Sequence, residues 1–348
     1  MKKIYILFLI NFVFQALKAQ DGNFSEYQRQ SLRIMFYNTE NLFDVLDDSL
    51  KSDETFTPEG GNRWTQKRFE KKIMNISKVV TAVGGWEAPE IIGFCEIENR
   101  FVLQELISKT PLKNIPYDII HYESPDNRGI DVGLIYRKDK FKPISSEAVT
   151  VRFPFDNNKP TRDILYVKGE TKSGDTLHIF VNHWPSRMGG QAASDPKRRY
   201  AASVVRNKVD SLFNTDINPK IIIMGDLNDY PDNESLTQVL KAKPEYENIQ
   251  SEELYNLAFY LQNSKNKGTH KHEAHWGVLD QIIISGALLD ISEKIFTTKD
   301  DAHVFDAPYL LEKDENQTGF RTFRTYIGME FHDGYSDHLP VYLDIRKK

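Results

Sequence analysis

Polar side chains capable of acid–base or metal chemistry stand where apolar segments of this sequence begin or end. The stretch "GYSDHLPVYLDI" places Asp337 and His338 directly before alternating apolar residues, a pattern typical of a strand that faces a core. One such pair alone is adequately explained as a polar cap on the strand end. Further apolar segments, however, are flanked by groups of the same kind: Asn38, Glu96, His183, Asp226, Asn228 and Asp280. Together these side chains could meet at one rim of a sheet sandwich.

The chemistry of this set is that of hard oxygen ligands combined with two imidazoles. Carboxylate and amide oxygens suit Mg²⁺, Mn²⁺ or Ca²⁺, and a partly hydrated ion of this kind polarises phosphoryl oxygens. Imidazoles transfer protons near neutral pH. The sequence has no Cys/His cage, no phosphate-binding Walker loop and no serine-triad signature. This combination favours hydrolysis of a phosphate ester by water.

Composition restricts how a phosphate substrate could be attracted. The chain of 348 residues has a formal net charge of −5, and its first twenty residues hold lysines but no acid, so the remainder is more acidic still. This balance argues against a protein that coats polyanions in general. Attraction must then be local, through a metal ion or a few arginines in a cleft. Arg187 is a candidate, with a plain surface arginine as the alternative, and the basic segment 197–208 is interpreted as a solvated helix face rather than a DNA contact.

The first twenty residues, 1–20, have the layout of a secretory signal peptide: lysines, an apolar stretch, and then Ala19 and Gln20. Leu17 and Lys18 make the cleavage site irregular, and a buried N-terminal helix is the alternative. We therefore expect an exported protein, either periplasmic or secreted. No later apolar run approaches the ~20 residues of a membrane span, so we expect no transmembrane segment in the mature chain. A single cysteine, Cys95, excludes an intramolecular disulfide.

Short apolar strands alternate with long polar loops and a few helices. We predict strands over 32–38, 90–97, 117–123, 131–137, 163–170, 176–183, 220–228, 278–285 and 340–345. We predict helices over 65–83, 99–109, 195–213 and 233–242, the first from the helical spacing of its apolar residues. Some strands alternate and others are nearly all apolar, which suits two sheets packed face to face with helices outside. We predict one domain over 30–348, and we interpret the histidine-rich segment 269–276 as a polar loop rather than a second metal site.

Seven segments, taken in order, resemble the motif set of the endonuclease/exonuclease/phosphatase superfamily, which has the deoxyribonuclease I-like fold. They are "FYNTENLFD", "IIGFCEIEN", "RGIDVGLIY", "VNHWPSR", "MGDLNDYP", "VLDQIII" and "YSDHLPV". "GDLND" and "SDHLPV" are the most specific, and the details resemble most the secreted bacterial members. The resemblance implies an α+β fold: a four-layer α/β/β/α sandwich of two packed, mainly antiparallel sheets flanked by helices.

The resemblance also implies roles for individual residues in the metal and water sites. Asn38, Glu96 and Asp337 match the positions that hold the family's metal ion. Asp226 and Asn228 match the pair that orients the attacking water and holds the scissile phosphate. These five residues are predicted from their positions in the motifs.

The histidines and one arginine are assigned in the same way. His338 matches the terminal histidine that contacts the phosphate and is oriented by an acid matching Asp280. His183 matches a histidine that helps protonate the leaving oxygen, and it argues against the abasic-site repair branch. Arg128 lies near a phosphate-binding arginine of the family. Asp131 stands where many relatives have a small residue, so its role stays open.

These features predict an exported, divalent-metal-dependent phosphodiesterase with Mg²⁺ or Mn²⁺, and with Ca²⁺ as an alternative ion. We expect a nuclease, specifically an endonuclease, that cleaves nucleic acid by metal- and histidine-assisted attack of water. The alternative is a phosphatase or phosphodiesterase that acts on phospholipid or another small phosphate ester. A catalytically silent binding protein of the same fold is disfavoured because no core motif position is lost. We expect the protein to be a monomer.

Overall fold

The computed structural model describes residues 31–156, 159–262 and 268–348. The predicted signal peptide therefore lies outside the described residues. The α-helices in these ranges are α1 (Gln66–Gly84), α2 (Arg100–Lys109), α3 (Gln191–Thr215) and α4 (Ala258–Gln262). Within the described part of the chain, no helix combines the length and the apolar character needed to cross a membrane.

The strands form two large sheets and three small hairpins. They are β1 (Leu32–Leu42), β2 (Ile91–Ile97), β3 (Tyr117–His121), β4 (Asp131–Arg137), β5 (Phe141–Val149), β6 (Ile164–Thr171), β7 (Thr176–His183), β8 (Lys220–Asp226), β9 (Ala242–Lys243), β10 (Leu254–Asn256), β11 (His270–His272), β12 (His275–Gly277), β13 (Asp280–Ser285), β14 (Ile295–Phe296), β15 (Ala302–Val304), β16 (Leu311–Lys313), β17 (Phe320–Thr322), β18 (Tyr326–Ile327), β19 (Glu330–Phe331) and β20 (Val341–Lys347).

Strand order and direction agree with the predicted fold class. The first large sheet has the order β14-β20-β1-β2-β4-β3, with β15 also paired to β20. The second has the order β5-β6-β7-β8-β13-β10-β9. Most neighbouring strands are antiparallel, whereas β1 with β2, β7 with β8, and β9 with β10 run parallel. Both sheets are therefore mixed but mainly antiparallel.

Three apolar cores separate four layers, which confirms the predicted sandwich. The side chains of β1 alternate between two of these cores. Ile34 and Phe36 pack against the second sheet, whereas Met35 and Tyr37 pack among residues of α1 and α2. The third core lies between the second sheet and α3, which contributes residues such as Val205. Because both faces of each sheet are covered, central strands such as β8 are continuously apolar rather than alternating.

All predicted strands are present, with boundaries that differ by a few residues. The long strand β5 was missed because it is an edge strand whose side chains are mostly exposed or half-buried, so its polar and apolar residues do not alternate. The predicted helix 233–242 is wrong, since this segment forms only a short π-helix at Ser235–Val239. The segment 269–276 is not an irregular loop, because β11 and β12 pair as a hairpin.

Candidate active site

The parallel pair β1 and β2 brings the first predicted residues to one rim of the sandwich. Asn38 lies opposite Cys95, so Asn38 and Glu96 stand at the same end of neighbouring strands. The segment before β20 joins them, because the Ser336 hydroxyl donates to the Asn38 carbonyl at 2.7 Å. This hydrogen bond fixes the "SDH" segment at the rim of the first sheet.

The second sheet contributes residues from across the inter-sheet core. The parallel strands β7 and β8 place His183 opposite Asp226. The antiparallel strand β13 begins at Asp280, which also lies opposite Asp226. Asn38 bridges the two sheets by donating from Nδ2 to Asp226 Oδ2 at 3.1 Å. Polar side chains of both sheets therefore meet at one place.

Several residues at this rim adopt unusual backbone conformations. Left-handed conformations, with φ from 51° to 57°, occur at four residues that are not glycine: Glu40, Asn41, Glu96 and Asn228. This region is unfavourable for residues with a side chain. In β2 it accompanies a register shift between Cys95 and Ile97, and such a bulge re-aims the side chain of the residue between them. Strain of this kind is typical of functional sites.

Two imidazoles converge on one carboxylate oxygen. His338 Nδ1 lies 2.6 Å from Asp280 Oδ2, and its Nε2 lies 3.8 Å from Asp226 Oδ2. His183 Nε2 reaches the same Asp226 oxygen at 3.8 Å and Glu96 Oε1 at 3.8 Å. The two histidines, Asp226 and Asp280 are buried. These groups form a compact acid–base cluster beneath the rim.

Burial and neighbouring charges shift the pKa values of this cluster in different directions. Burial alone would lower the pKa of His338, but Asp280 and Asp226 outweigh it and hold that pKa well above its usual range. Burial lowers the pKa of His183 well below its usual range. Burial also raises the pKa of Asp226 to about 7, against the opposing effect of the His338 charge. At neutral pH, His338 is therefore the protonated imidazole and His183 the neutral one.

Asn38 is fully buried and uses both ends of its amide. Its Oδ1 accepts from the Glu40 backbone N–H at 2.9 Å, while Nδ2 donates to Asp226 and lies 3.4 Å from Glu96 Oε1. Asn38 thus presents a donor to two carboxylates, and contact of its oxygen with a metal ion would require the amide to turn. Glu96 is held in turn by the Asn41 backbone N–H, which donates to Oε2 at 3.0 Å.

Asp337 belongs to a charge cluster whose members lie far apart in the sequence. Arg324 donates from Nη2 to Asp337 Oδ2 at 3.1 Å and from Nε to Glu40 Oε1 at 3.0 Å. The Lys72 ammonium is buried 4.0 Å from Glu40 Oε2 and donates to the Tyr335 carbonyl at 2.7 Å. Burial lowers the pKa of Lys72 to about 8, even though Glu40 and Asp337 favour its charge. These cations offset part of the negative charge around Asp337.

Asn228 and Arg187 shape the loop that follows β8. The Asn228 backbone N–H donates to Asp226 Oδ1 at 3.0 Å, and its side-chain amide donates to the Trp184 carbonyl at 3.0 Å. Arg187 donates from Nε to the Asn228 carbonyl at 2.8 Å and from Nη2 to Asn233 Oδ1 at 3.0 Å. The guanidinium of Arg187 is therefore engaged in holding this loop, and its predicted contact with phosphate stays a prediction.

Two arginines influence His183: Arg128, which the motifs predicted, and Arg162, which they did not. Arg128 is about half exposed, with Nε 3.5 Å from Asp126 Oδ1. Arg162 is buried and donates to Asp126 Oδ2 at 3.0 Å and to the Trp184 carbonyl at 2.7 Å. The positive charges of Arg162 and Arg128 add to the effect of burial in lowering the pKa of His183. The exposed guanidinium of Arg128 is the one that solvent, and hence a substrate phosphate, can reach.

A profile of the endonuclease/exonuclease/phosphatase family matches residues 33–347. The chain belongs to this family. Its members are metal-dependent phosphoric ester hydrolases, so this protein is an enzyme of that class, as the motifs predicted. A search of curated protein sequences gave no match.

Solved structures share the fold of this family member at low sequence identity. An endonuclease/exonuclease/phosphatase family protein from Bacteroides thetaiotaomicron is 18% identical, with a TM-score of 0.57 over 91% of this chain and 98% of its own. The human nocturnin catalytic domain with bound sulfate is 17% identical, with a TM-score of 0.54 over 91% and 95%. A mannosyl-6-phosphatase from Bacteroides thetaiotaomicron is 15% identical, with a TM-score of 0.50 over 90% and 99%. At these identities the likeness establishes the fold alone.

The donor chemistry at the rim suits the divalent ion on which this family depends. The side chains of Glu96 and Asp337 are 17% and 20% exposed, in contrast with 3% for Asp226 and 1% for Asp280. Their carboxylate oxygens are hard ligands of the kind that Mg²⁺ and Mn²⁺ prefer. The two carboxylates that solvent reaches are thus the ones that an ion could approach.

Proposed function

We propose that this enzyme is an endonuclease that hydrolyses the phosphodiester bonds of nucleic acid with Mg²⁺ or Mn²⁺. The observation that carries the proposal is the convergence of two imidazoles on one carboxylate. Nε2 of His338 and Nε2 of His183 each lie 3.8 Å from Asp226 Oδ2. A base and two proton-handling groups are therefore within reach of a single phosphate.

Asp226 is suited to orient and deprotonate the attacking water. Burial raises its pKa to about 7, which makes it a better base than an ordinary aspartate while a large fraction stays ionised at neutral pH. Its two oxygens accept hydrogen bonds from the Asn228 N–H and from the Asn38 amide. The carboxylate is thereby held in one orientation before substrate arrives.

The two histidines then take different roles because their charges differ. His338 stays protonated, keeps one N–H on Asp280, and can donate the other to a phosphoryl oxygen as negative charge develops there. Neutral His183 retains one N–H that it can offer to the departing oxygen. Glu96 and Asp337 would hold the metal ion, and Asn38 would join them if its amide turned its oxygen toward the ion and released Asp226. The ion would supply positive charge to the phosphoryl oxygens.

A second candidate is hydrolysis of a phospholipid or another small phosphate ester. A cleft of about 270 Å³ adjoins Asp337 and is lined by polar side chains that include Lys271, Glu273 and Arg321. Such a volume suits one polar head group or sugar. The similarity in fold to a mannosyl-6-phosphatase also favours this candidate.

A substrate panel distinguishes the two candidates. Purified protein is incubated with plasmid DNA, single-stranded DNA, RNA, sphingomyelin, phosphoinositides and p-nitrophenyl esters, each with Mg²⁺ and with chelator. We expect plasmid nicking that chelation abolishes and Mg²⁺ or Mn²⁺ restores, with Glu96→Gln as the inactive control. Turnover of a phospholipid or a phosphomonoester without cleavage of nucleic acid would overturn the nuclease proposal.

Export is proposed from the layout of residues 1–20. Expression of the full chain followed by cell fractionation and N-terminal sequencing tests it. We expect a processed protein in the periplasm or the medium. An unprocessed protein confined to the cytoplasm would contradict the proposal.

A further inference from the structure

A second group of potential metal ligands lies where β3 ends and β4 begins. His121 Nε2 lies 3.1 Å from Asp131 Oδ2, and His121 Nδ1 lies 3.8 Å from Glu123 Oε1. One ligand atom from each of these residues lies within 4.8 Å of the other two. None of the three belongs to the acid–base cluster or to the predicted catalytic metal site.

An ion in this group would face one ring nitrogen of His121, since the two nitrogens of an imidazole point in different directions. His121 Nε2 and Asp131 Oδ2 are at hydrogen-bond distance, 3.1 Å, so an ion bound there would replace the proton between them, and the exposed Glu123 would supply the third ligand. Asp131 is oriented by Ser124, whose backbone N–H donates to Oδ1 at 2.9 Å and whose hydroxyl donates to the same oxygen. Supporting hydrogen bonds of this kind hold metal-binding carboxylates in position.

The group is also accessible to an ion from solvent. The side chains of His121 and Asp131 are 3% and 2% exposed, whereas that of Glu123 is 63% exposed. Glu123 also lines a cavity of about 200 Å³ whose other acidic residues are Asp44, Asp47, Asp48 and Glu98.

The charge of this cavity favours entry of a cation. Lys51 is the cationic residue in its lining, and its ammonium is bonded to the carbonyls of Ser124 and Asp126, at 2.9 Å each. Next to the cavity, Oδ1 of buried Asp53 has no hydrogen-bond partner among the residues that the structure describes. Burial raises the pKa of Glu98 to about 8, so this carboxyl is largely neutral at neutral pH, and the three aspartates with Glu123 still outnumber Lys51. A cleft in which one sign of charge predominates raises the local concentration of counter-ions.

We propose that His121, Glu123 and Asp131 bind a second divalent transition-metal ion, with Zn²⁺ and Mn²⁺ as the best matches. One imidazole with two carboxylates is a donor set for such ions, whereas Ca²⁺ and Mg²⁺ favour oxygen ligands alone. Water would complete the coordination on the solvent side.

This ion would join the end of β3 to the start of β4 and so close the base of the loop 122–130. That loop carries Arg128 and Asp126, and Asp126 is the ion-pair partner of Arg162. The site would therefore organise the arginines that influence His183. Binding itself is independent of the proposed nuclease function.

Zn²⁺ binding to the full chain tests the proposal without using activity. The chain carries Glu96→Gln and Asp337→Asn to disable the catalytic ion site, is freed of metal, and is titrated with Zn²⁺ in a calorimeter. We expect the background variant to bind one Zn²⁺ ion in this titration. The added Glu123→Gln should weaken the Zn²⁺ affinity roughly tenfold or more. Glu252→Gln also removes an exposed carboxylate and is the control, so it should leave the Zn²⁺ affinity unchanged. At the same concentration, Zn²⁺ should raise the melting temperature of the background variant more than that of the Glu123→Gln variant.

Two further variants keep the test decisive. His121→Asn should also weaken binding, and because Glu123 is exposed, its variant remains informative even if His121→Asn does not fold. His272→Asn, on the exposed hairpin β11–β12, controls for adventitious binding by surface histidines. Unchanged affinity in the Glu123→Gln variant, or loss of binding with His272→Asn, would overturn the proposal.

Discussion

Nδ1 of His338 lies 2.6 Å from Oδ2 of Asp280, and both side chains are buried beneath the rim. Asp280 begins β13 in one sheet, whereas His338 precedes β20 in the other. A carboxylate this close fixes the orientation of the ring and favours its protonated form. The packing of the two sheets thus sets both the direction and the charge of the imidazole.

Asp280→Asn should separate the charge of this pair from its geometry. The amide has nearly the same shape but no longer favours imidazolium, so we expect turnover to fall by about 10²–10⁴-fold with little change in KM. The alkaline side of the pH–rate profile should move to lower pH, because the pKa of His338 falls when Asp280 loses its charge. Asp290→Asn, on an exposed residue, is the control, and an unaltered pH profile in the Asp280 variant would contradict the assignment.

His183→Ala should affect substrates according to their leaving groups. Its imidazole lies beside Glu96 and Asp226 and is proposed to serve the departing oxygen. We expect a loss of about 100-fold on plasmid DNA, whose leaving alkoxide needs the hydrogen bond from the His183 N–H to stabilise its charge, but a much smaller loss on bis(p-nitrophenyl) phosphate, whose leaving group is a weak base. Equal losses on both substrates would argue for a purely structural role, and His275→Ala at an exposed position should change neither rate.

Arg128 and Arg187 are expected to respond differently to replacement. Arg187 braces the loop after β8 through the Asn228 carbonyl and Asn233, and its guanidinium lies 4.1 Å from the centre of the Tyr230 ring. Arg187→Ala should therefore lower the free energy of unfolding by about 1–3 kcal/mol. Arg128→Ala, at an exposed side chain, should raise KM without changing stability. Denaturant unfolding and steady-state kinetics of the two variants provide the comparison. A higher KM with unchanged stability for Arg187→Ala, together with lower stability for Arg128→Ala, would exchange the roles of the two arginines.

His178, far along β7 from the rim, predicts how stability depends on pH. Burial lowers its pKa from 6.5 to about 4, with Asp216 opposing the shift. Above about pH 6.5, His178 is neutral in both the folded and the unfolded chain. Below about pH 6.5, His178 of the unfolded chain takes up a proton, whereas His178 of the folded chain takes up this proton only near pH 4. Stability should thus fall as pH drops through this window, by roughly 2 kcal/mol between pH 7 and pH 5.

The variant His178→Gln should lose this part of the pH dependence, as measured by urea unfolding at pH 7 and pH 5. His272→Gln, which replaces an exposed histidine, should retain it. An identical pH dependence in the wild type and the His178→Gln variant would show that other groups are responsible.

Short motifs determine where many of the predicted site residues lie, because each motif joins a strand to the polar group at its end. In "MGDLND", the buried strand β8 ends at Asp226, so the position of the strand determines the position of the carboxylate. The same holds for His338 before β20. Once the strands are arranged in two sheets, their ends meet at one rim without further information.

Lys72 and Arg162 were missed for physical reasons. Lys72 stands at helical spacing from Phe69 and Ile76 on the buried face of α1, but a lysine on an amphipathic helix is normally solvated. Its burial depends on Glu40, which lies far away in the sequence. Arg162 lies in a segment without periodicity and is positioned by contacts that exist only in the folded chain. Sequence patterns describe local burial, whereas both residues depend on distant partners.

The rate of plasmid cleavage by the His338→Ala variant, measured with Mg²⁺ beside the wild type, tests the central claim most directly. The variant removes the protonated imidazole and leaves Glu96 and Asp226 in place. We predict a loss of about 100-fold or more, with an unchanged circular dichroism spectrum and a lower unfolding midpoint, because buried Asp280 loses its partner. A folded His338→Ala variant that cleaves plasmid at the rate of the wild type would contradict the account.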